Sequence, residues 1–379
     1  MKTTVKLGRV AGVAVGVHWS VLAIVVLLVA GLTAQLPDIA PGYPAAAYVA
    51  AAVLAALLFV ASLLGHELAH AVVARRNGVA VDGITLWLLG GVARLRGEAP
   101  TPGADFRISA VGPASSLLIA AGCYGLARLA ALTDAGPLVV AVPTYLAVIN
   151  VVLAVFNTIP AAPLDGGRIL RSAIWAWRGD RSTATVVAAR AGRIFGFTLI
   201  ALGILQALGG AGLNGLWWVL LGLFVVTMAN AEEQQARTTT ALAGVRVRDV
   251  MTADPETLDD GNLSVAEFVQ HTALGRRHSS FPLLDHGRLA GLVTFNRIRA
   301  VPADRRATTT LGDIACPPEQ IPTAHPEEAL TALLGRLSAA TDGRALVLAD
   351  GVLVGIVSPS DISRAVALGG LGARFDDGA

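Results

Sequence analysis

Through about residue 230 the chain alternates long apolar runs with short charged connections, and beyond that point it becomes a mixed, water-compatible sequence. Apolar runs occupy residues 17–36, 45–75, 108–132, 138–159, 185–208 and 216–230. A helix needs about 20 apolar residues to cross a bilayer, so six spans are expected. The first is expected to stay uncleaved, because its run outlasts a signal-peptide core and no small-residue cleavage site follows. His18-Trp19 at its start reads as an interfacial anchor. The third is entered through Gly112-Pro113. Residues 79–98 break the pattern. Ile84-Thr85-Leu86-Trp87-Leu88 and Val92-Ala93-Arg94-Leu95, with Gly90-Gly91 between them, predict a β-hairpin. Beside a membrane, such a hairpin must be buried in protein or line a wet cavity, since its edge would otherwise lack hydrogen-bond partners.

The tail contains a repeat. Arg248-Asp249-Val250 matches Gly312-Asp313-Ile314, Gly291-Leu292-Val293-Thr294 matches Gly355-Ile356-Val357-Ser358, and Ile298 matches Ile362, all at an offset of 64 residues. Each copy reads as a short strand, an amphipathic helix (263–274 and 327–337), two strands around a turn (His286-Gly287 and Asp350-Gly351) and a closing helix. The expected domains are residues 1–235, 245–304 and 308–368, with the break near Glu232-Glu233-Gln234-Gln235-Ala236-Arg237.

Composition agrees with a membrane protein: 54% apolar and 15% charged residues, with a mean hydropathy of +0.63. A net charge of +2 without a basic block argues against nucleic acid as a partner. Cys123 and Cys316 lie too far apart for a disulfide framework or a cysteine metal cluster. Lys and Arg gather in alternate connections: Lys2, Lys6 and Arg9; Arg75, Arg76, Arg94, Arg96 and Arg107; Arg168, Arg171, Arg178 and Arg181. The remaining connections hold only Arg128. By the positive-inside rule both termini are cytoplasmic. His66 and His70 then sit toward the cytoplasmic end of span two, and Asp165 toward that of span four.

Chemistry concentrates where charge interrupts span two. His66-Glu67-Leu68-Ala69-His70 follows an uncharged stretch, and intramembrane ionisable groups persist where they are paired and functional. On a helix, residues i and i+4 share a face, so the two histidines can present imidazoles to one metal ion. Glu67 can act as general base toward a water that the metal activates. A catalytic zinc takes a third protein ligand, and Asp165, flanked by Gly166-Gly167, is the best candidate; read locally, it is equally a capping or turn residue.

These segments, with Gly90-Gly91-Val92-Ala93 and Asn157-x-x-Pro160…Leu164-Asp165-Gly166, resemble the site-2 protease family of intramembrane zinc metalloproteases. The closest likeness is to its bacterial and archaeal branch, which carries a C-terminal pair of cystathionine-β-synthase (CBS) domains. The resemblance spans essentially the whole chain. It implies a six-span α-helical core with a membrane-associated hairpin and a cytoplasmic α/β tandem CBS pair. It implies one zinc held by His66, His70 and Asp165, Glu67 as general base, and Asn157 positioning the substrate backbone or the oxyanion. The implied substrate is a single-span membrane protein, such as an anti-sigma factor, cut in the plasma membrane. CBS pairs commonly bind adenine nucleotides. Their ribose and phosphate motif stands in the second copy as Gly355-Ile356-Val357-Ser358-Pro359-Ser360-Asp361, with Ser358 and Asp361 as the contacting side chains. In the first copy Arg297 occupies the acidic position, so at most one site is intact. The pair can equally serve dimerisation or structural support. A CBS-regulated metal transporter or channel is the alternative reading, but permeation needs no glutamate inside H-E-x-x-H, and no inverted repeat is evident.

Overall fold

The computed structural model describes residues 4–370 except 88–89, 273–274, 276–277 and 286. The chain divides into two compact units, Met1–Ala236 and Arg237–Ala379.

The first unit begins with strands the sequence reading did not anticipate. β1 (Val5–Val10) and β2 (Val13–Val17) form an antiparallel hairpin about Ala11-Gly12. Both turn residues have positive φ, 51° and 78°, which a two-residue hairpin turn requires. Val17 therefore closes a strand, and the first span begins later, at Val21. The alternation of Val13, Val15 and Val17 carried this signal, but the flanking Lys6 and Arg9 read as a basic leader. β2 runs parallel to β3 (Ala80–Trp87), which pairs antiparallel with β4 (Gly90–Arg96). The expected hairpin is thus half of a four-stranded sheet in the order β1-β2-β3-β4, with β4 at one edge. Leu88, assigned to the hairpin from sequence, lies outside the described residues.

Among the described residues, six helices are long and apolar enough to cross a membrane. They are α1 (Val21–Ile39), α2 (Ala45–Arg76), α3 (Pro102–Leu132), α4 (Pro137–Thr158), α6 (Arg181–Gln206, continuing in a π turn) and α7 (Gly212–Ala241). α3 starts before the apolar run, where Thr101 Oγ1 accepts from the Ala104 N–H at 3.1 Å, a capping contact that ends the preceding loop. Pro113 is consequently inside α3 and not at its entrance. The basic connector after span four is itself a helix, α5 (Asp165–Arg178), closed by Gly179 in the left-handed region.

Val13, Ile84 and Leu86 of the sheet share a core with Val21 and with Ala71 of α2. Arg75 at the end of α2 donates to the Ala11 carbonyl of the first turn at 2.7 Å. This contact docks the first hairpin on the end of α2. α6 and α7 approach backbone to backbone. A Cβ at Gly203 would fall 2.6 Å from the Gly215 carbonyl, and one at Gly222 would fall 2.6 Å from that of Gly196. Small residues at such a crossing let dispersion and close packing hold helices together where lipid offers no hydrophobic drive.

In the second unit the two copies exchange strands. In chain order the elements are β5 (Thr252–Ala253), α8 (Val265–Glu267), β6 (Ser280–Asp285), β7 (Arg288–Thr294), α9 (Phe295–Arg299), α10 (Leu311–Ile314), β8 (Thr323–Ala324), α11 (Leu330–Leu334), β9 (Ala345–Ala349), β10 (Val352–Val357) and α12 (Pro359–Gly370). β5 of the first copy pairs with β10 of the second, in a sheet ordered β5-β10-β9-β8. Cys316, from the second copy, bridges Leu292 of the first. This interleaving joins the two copies of the repeat. The repeated Asp249 and Asp313 sit in helical turns, where they accept the Arg246 and Thr310 backbone N–H groups and curl the chain, and the expected short strands, β5 and β8, follow them. Leu274 and His286 lie outside the described residues. The second amphipathic helix is confined to α11.

Candidate metal centre

On α2 the four-residue spacing brings His66 and His70 to one buried face, 3% and 8% exposed. Each ring is held by its Nδ1. His66 Nδ1 lies 2.9 Å from Ser116 Oγ, and His70 Nδ1 lies 2.6 Å from the Ile108 carbonyl, both on α3. A carbonyl can only accept, so His70 Nδ1 carries a proton, and in the neutral ring Nε2 presents a lone pair. That lone pair faces His66 Nε2 at 3.1 Å and Asp165 Oδ2 at 3.1 Å, with Asp165 Oδ2 also 3.2 Å from His66 Nε2.

Asp165 arrives as the first residue of α5. Its position depends on Gly166 and Gly167, where a Cβ would fall 2.2 Å from the Ile159 carbonyl and 2.4 Å from the Ala162 nitrogen. The turn after α4 is that tight, and only glycine permits it.

Two further glycines make room for the functional side chains. A Cβ on Gly112 of α3 would sit 2.1 Å from His70 Nε2 and 2.7 Å from His66 Nε2. One on Gly91 of β4 would sit 2.2 Å from Glu67 Cγ. The Gly91 backbone N–H donates to the Glu67 carboxylate, which orients it. Asn157, near the end of α4, donates from Nδ2 to the Leu153 carbonyl at 3.0 Å and lines one cavity of about 360 Å³ with His66, Glu67, His70 and Asp165. Arg168, Phe224 and Met228 complete the wall. The structure therefore gathers all five membrane-domain candidates in one place. Sequence reasoning missed Ser116, Arg168 and the spatial roles of Gly112 and Gly91. Gly112-x-x-x-Ser116 is a small-xxx-small pattern on one helix face, a signal of close helix approach that was available.

The three donors fit a divalent metal. Their 3.1–3.2 Å separations are near the roughly 3.3 Å edge of a tetrahedron with bonds of about 2.0–2.1 Å. Two imidazoles and a carboxylate are a catalytic zinc set. The α-carbon of Gly112 leaves the space that a cation between them needs.

In the tail, Ser358 and Asp361 engage each other. Asp361 Oδ2 accepts from the Ser358 N–H at 2.8 Å and from its hydroxyl at 2.6 Å, capping α12. In the first copy, Arg297 donates to the Ala340 carbonyl at 2.9 Å and to that of Ile314 at 2.9 Å. Thr294 donates to Asp342 at 2.6 Å. Partial burial pushes the Asp342 carboxyl up, but hydrogen bonds from Thr294 and Asn296 and the charges of Arg344 and Arg297 outweigh it and hold the group below the usual carboxylate range.

Residues 54–133 and 125–202 match Peptidase family M50. The zinc metalloprotease Rip3 of Mycobacterium tuberculosis is 46% identical over 368 residues, 97% of this chain and 93% of that protein. The zinc metalloprotease MJ0392 of Methanocaldococcus jannaschii is 28% identical, covering 97% of each. A solved structure, the site-2 protease from Methanocaldococcus jannaschii, is 26% identical over 60% of this chain and 94% of its own, with a TM-score of 0.41. The chain belongs to Peptidase family M50, the site-2 proteases, and is a multi-pass membrane zinc metalloendopeptidase.

Proposed function

We propose that His66, His70 and Asp165 hold the zinc, that Glu67 is the general base, and that Asn157 orients the substrate backbone. The observation that carries this reading is that His66 Nε2, His70 Nε2 and Asp165 Oδ2 lie 3.1–3.2 Å from one another while the Nδ1 of each histidine is held by α3. A zinc ion held there would polarise a scissile carbonyl and bring the pKa of a water to about 7. Glu67, steadied by the Gly91 N–H, takes the proton of the attacking water and returns it to the leaving amine. The substrate is the transmembrane helix of a single-span membrane protein, an anti-sigma factor being one such class. Its peptide bonds are shielded by its own hydrogen bonds, so a segment must unwind first. Both termini of the enzyme are cytoplasmic, and the cut is made near that side of the membrane. The test pairs metal with activity: protein purified in detergent, zinc quantified, and cleavage of a panel of single-span substrates followed before and after chelation. About one zinc per chain, with cleavage lost on chelation and restored by zinc, is the expected result. A folded protein that binds no zinc overturns the reading.

The unwound substrate pairs with the open edge of β4. Because the Gly91 N–H points to Glu67 and not into the sheet, alternation turns the Ala93 N–H to the same side. Ala93→Pro removes that edge donor and leaves the β3–β4 ladder intact. Cleavage is expected to fall about tenfold, the value of one net hydrogen bond, with zinc content unchanged; wild-type cleavage rates in this variant would exclude edge pairing.

The tail binds one adenine nucleotide in its second copy, through Ser358 and Asp361, and tunes activity. It can also form a homodimer. A nucleotide at about 100 times its dissociation constant stabilises its site by about 2.7 kcal/mol, so AMP or ATP is expected to raise the melting temperature of the full-length protein, and Asp361→Asn to abolish the shift. No shift with either nucleotide removes the sensing role.

A further inference from the structure

We propose that the buried ion pair Asp105–Arg171 is a positioning device for the metal centre, fixing the helix that bears Asp165 against the helix that braces both histidines. The inference rests on the reading of His66, His70 and Asp165 as zinc ligands.

Asp105 is fully buried in the first turn of α3, and Arg171 of α5 is 8% exposed. Their contact has two points. Arg171 Nε donates to Asp105 Oδ2 at 2.9 Å, and Nη2 donates to Oδ1 at 2.8 Å. Arg168 adds a longer contact to Oδ1 at 3.5 Å, and Arg171 Nη1 reaches Glu232 of α7 at 3.4 Å. The placement along each helix gives the pair its meaning. On α3, residues 105, 108, 112 and 116 follow the i, i+3, i+7, i+11 spacing of one helix face. That stretch carries Asp105, the carbonyl that holds His70, the glycine that leaves the metal its space, and the hydroxyl that holds His66. On α5, Asp165, Arg168 and Arg171 stand at i, i+3 and i+6, so ligand and guanidinium fork are carried by the same short helix less than two turns apart.

A planar fork on a carboxylate sets both the height and the rotation of α5, whereas apolar contacts allow sliding. Height and rotation are what bring Asp165 Oδ2 to within 3.2 Å of both imidazoles. A role confined to neutralising a buried carboxylate would affect stability and leave the metal site unaltered.

The experiment measures zinc affinity by chelator competition, and the absorption spectrum of the cobalt-substituted site, in full-length wild type, Arg171→Gln, Arg171→Lys and the reversed pair Asp105→Arg with Arg171→Asp. In Arg171→Gln, zinc is expected to bind about 10–100-fold more weakly, the usual effect of losing an outer partner, with a changed cobalt spectrum. Arg171→Lys, which keeps the charge and loses the fork, shifts both readouts in the same direction, and it stands in if Arg171→Gln does not fold. The reversed pair recovers part of the loss. Wild-type affinity and an unchanged cobalt spectrum in a folded Arg171→Gln or Arg171→Lys overturn the proposal alone. Absence of zinc from wild type, or its full retention in His66→Ala, overturns the ligand assignment and the proposal with it.

Discussion

Glu67→Gln is expected to retain one zinc per chain and to lose cleavage by about 10²–10⁴-fold, the range for removing a general base. The change is nearly isosteric. The amide keeps an oxygen to accept the Gly91 N–H, so side-chain placement survives, while the capacity to take a proton is gone. At 1.36 kcal/mol per tenfold, the loss corresponds to about 3–5 kcal/mol of barrier. The zinc ligands are other residues, which is why metal content and rate should separate. The check is zinc content beside initial cleavage rates in detergent. Equal rates in the two proteins would remove Glu67 from the chemistry. Loss of zinc together with activity would make Glu67 a ligand or a structural residue.

Gly112→Ala is expected to abolish zinc binding, with an affinity loss of at least about 100-fold, and to abolish cleavage with it. The added Cβ would stand 2.1 Å from His70 Nε2 and 2.7 Å from His66 Nε2, far inside contact distance. Neither ring can withdraw without cost, since Ile108 and Ser116 hold their other nitrogens from the same helix that carries the intruding methyl. Helix propensity predicts the opposite sign for overall stability: alanine in a helix interior is favoured over glycine by about 0.5–1 kcal/mol. The diagnostic result is therefore a protein that still folds, its stability set by this gain against the cost of displacing the rings, yet is empty of zinc. Wild-type zinc affinity in this variant would mean that the metal does not lie beside Gly112.

Local order explains what could be read from the chain alone. Six apolar runs require six spans because a bilayer core offers the backbone no partners, and that constraint acts on each segment separately. The pairing of His66 with His70 is equally local, a consequence of 3.6 residues per turn. The repeat at an offset of 64 residues identified the tandem tail, for periodicity is a property of sequence. Local signals failed where two of them competed. Val5–Val17 carries both strand alternation and basic charge, and the charge prevailed in the reading, so the β1–β2 hairpin and the true start of α1 went unread.

Tertiary structure alone decided which distant groups meet. Asp165 could be nominated from sequence, but its distances of 3.1–3.2 Å to the histidines exist only because α5 folds back across a glycine turn. Gly112 looked like the mouth of a span, whereas packing makes it the clearance between two imidazoles. Asp105 and Arg171, 66 residues apart, carried no mutual signal at all. Single-residue propensities describe a segment against water or lipid. The protons, lone pairs and free volume of this site depend on which side chain stands opposite, and that is settled by long-range packing.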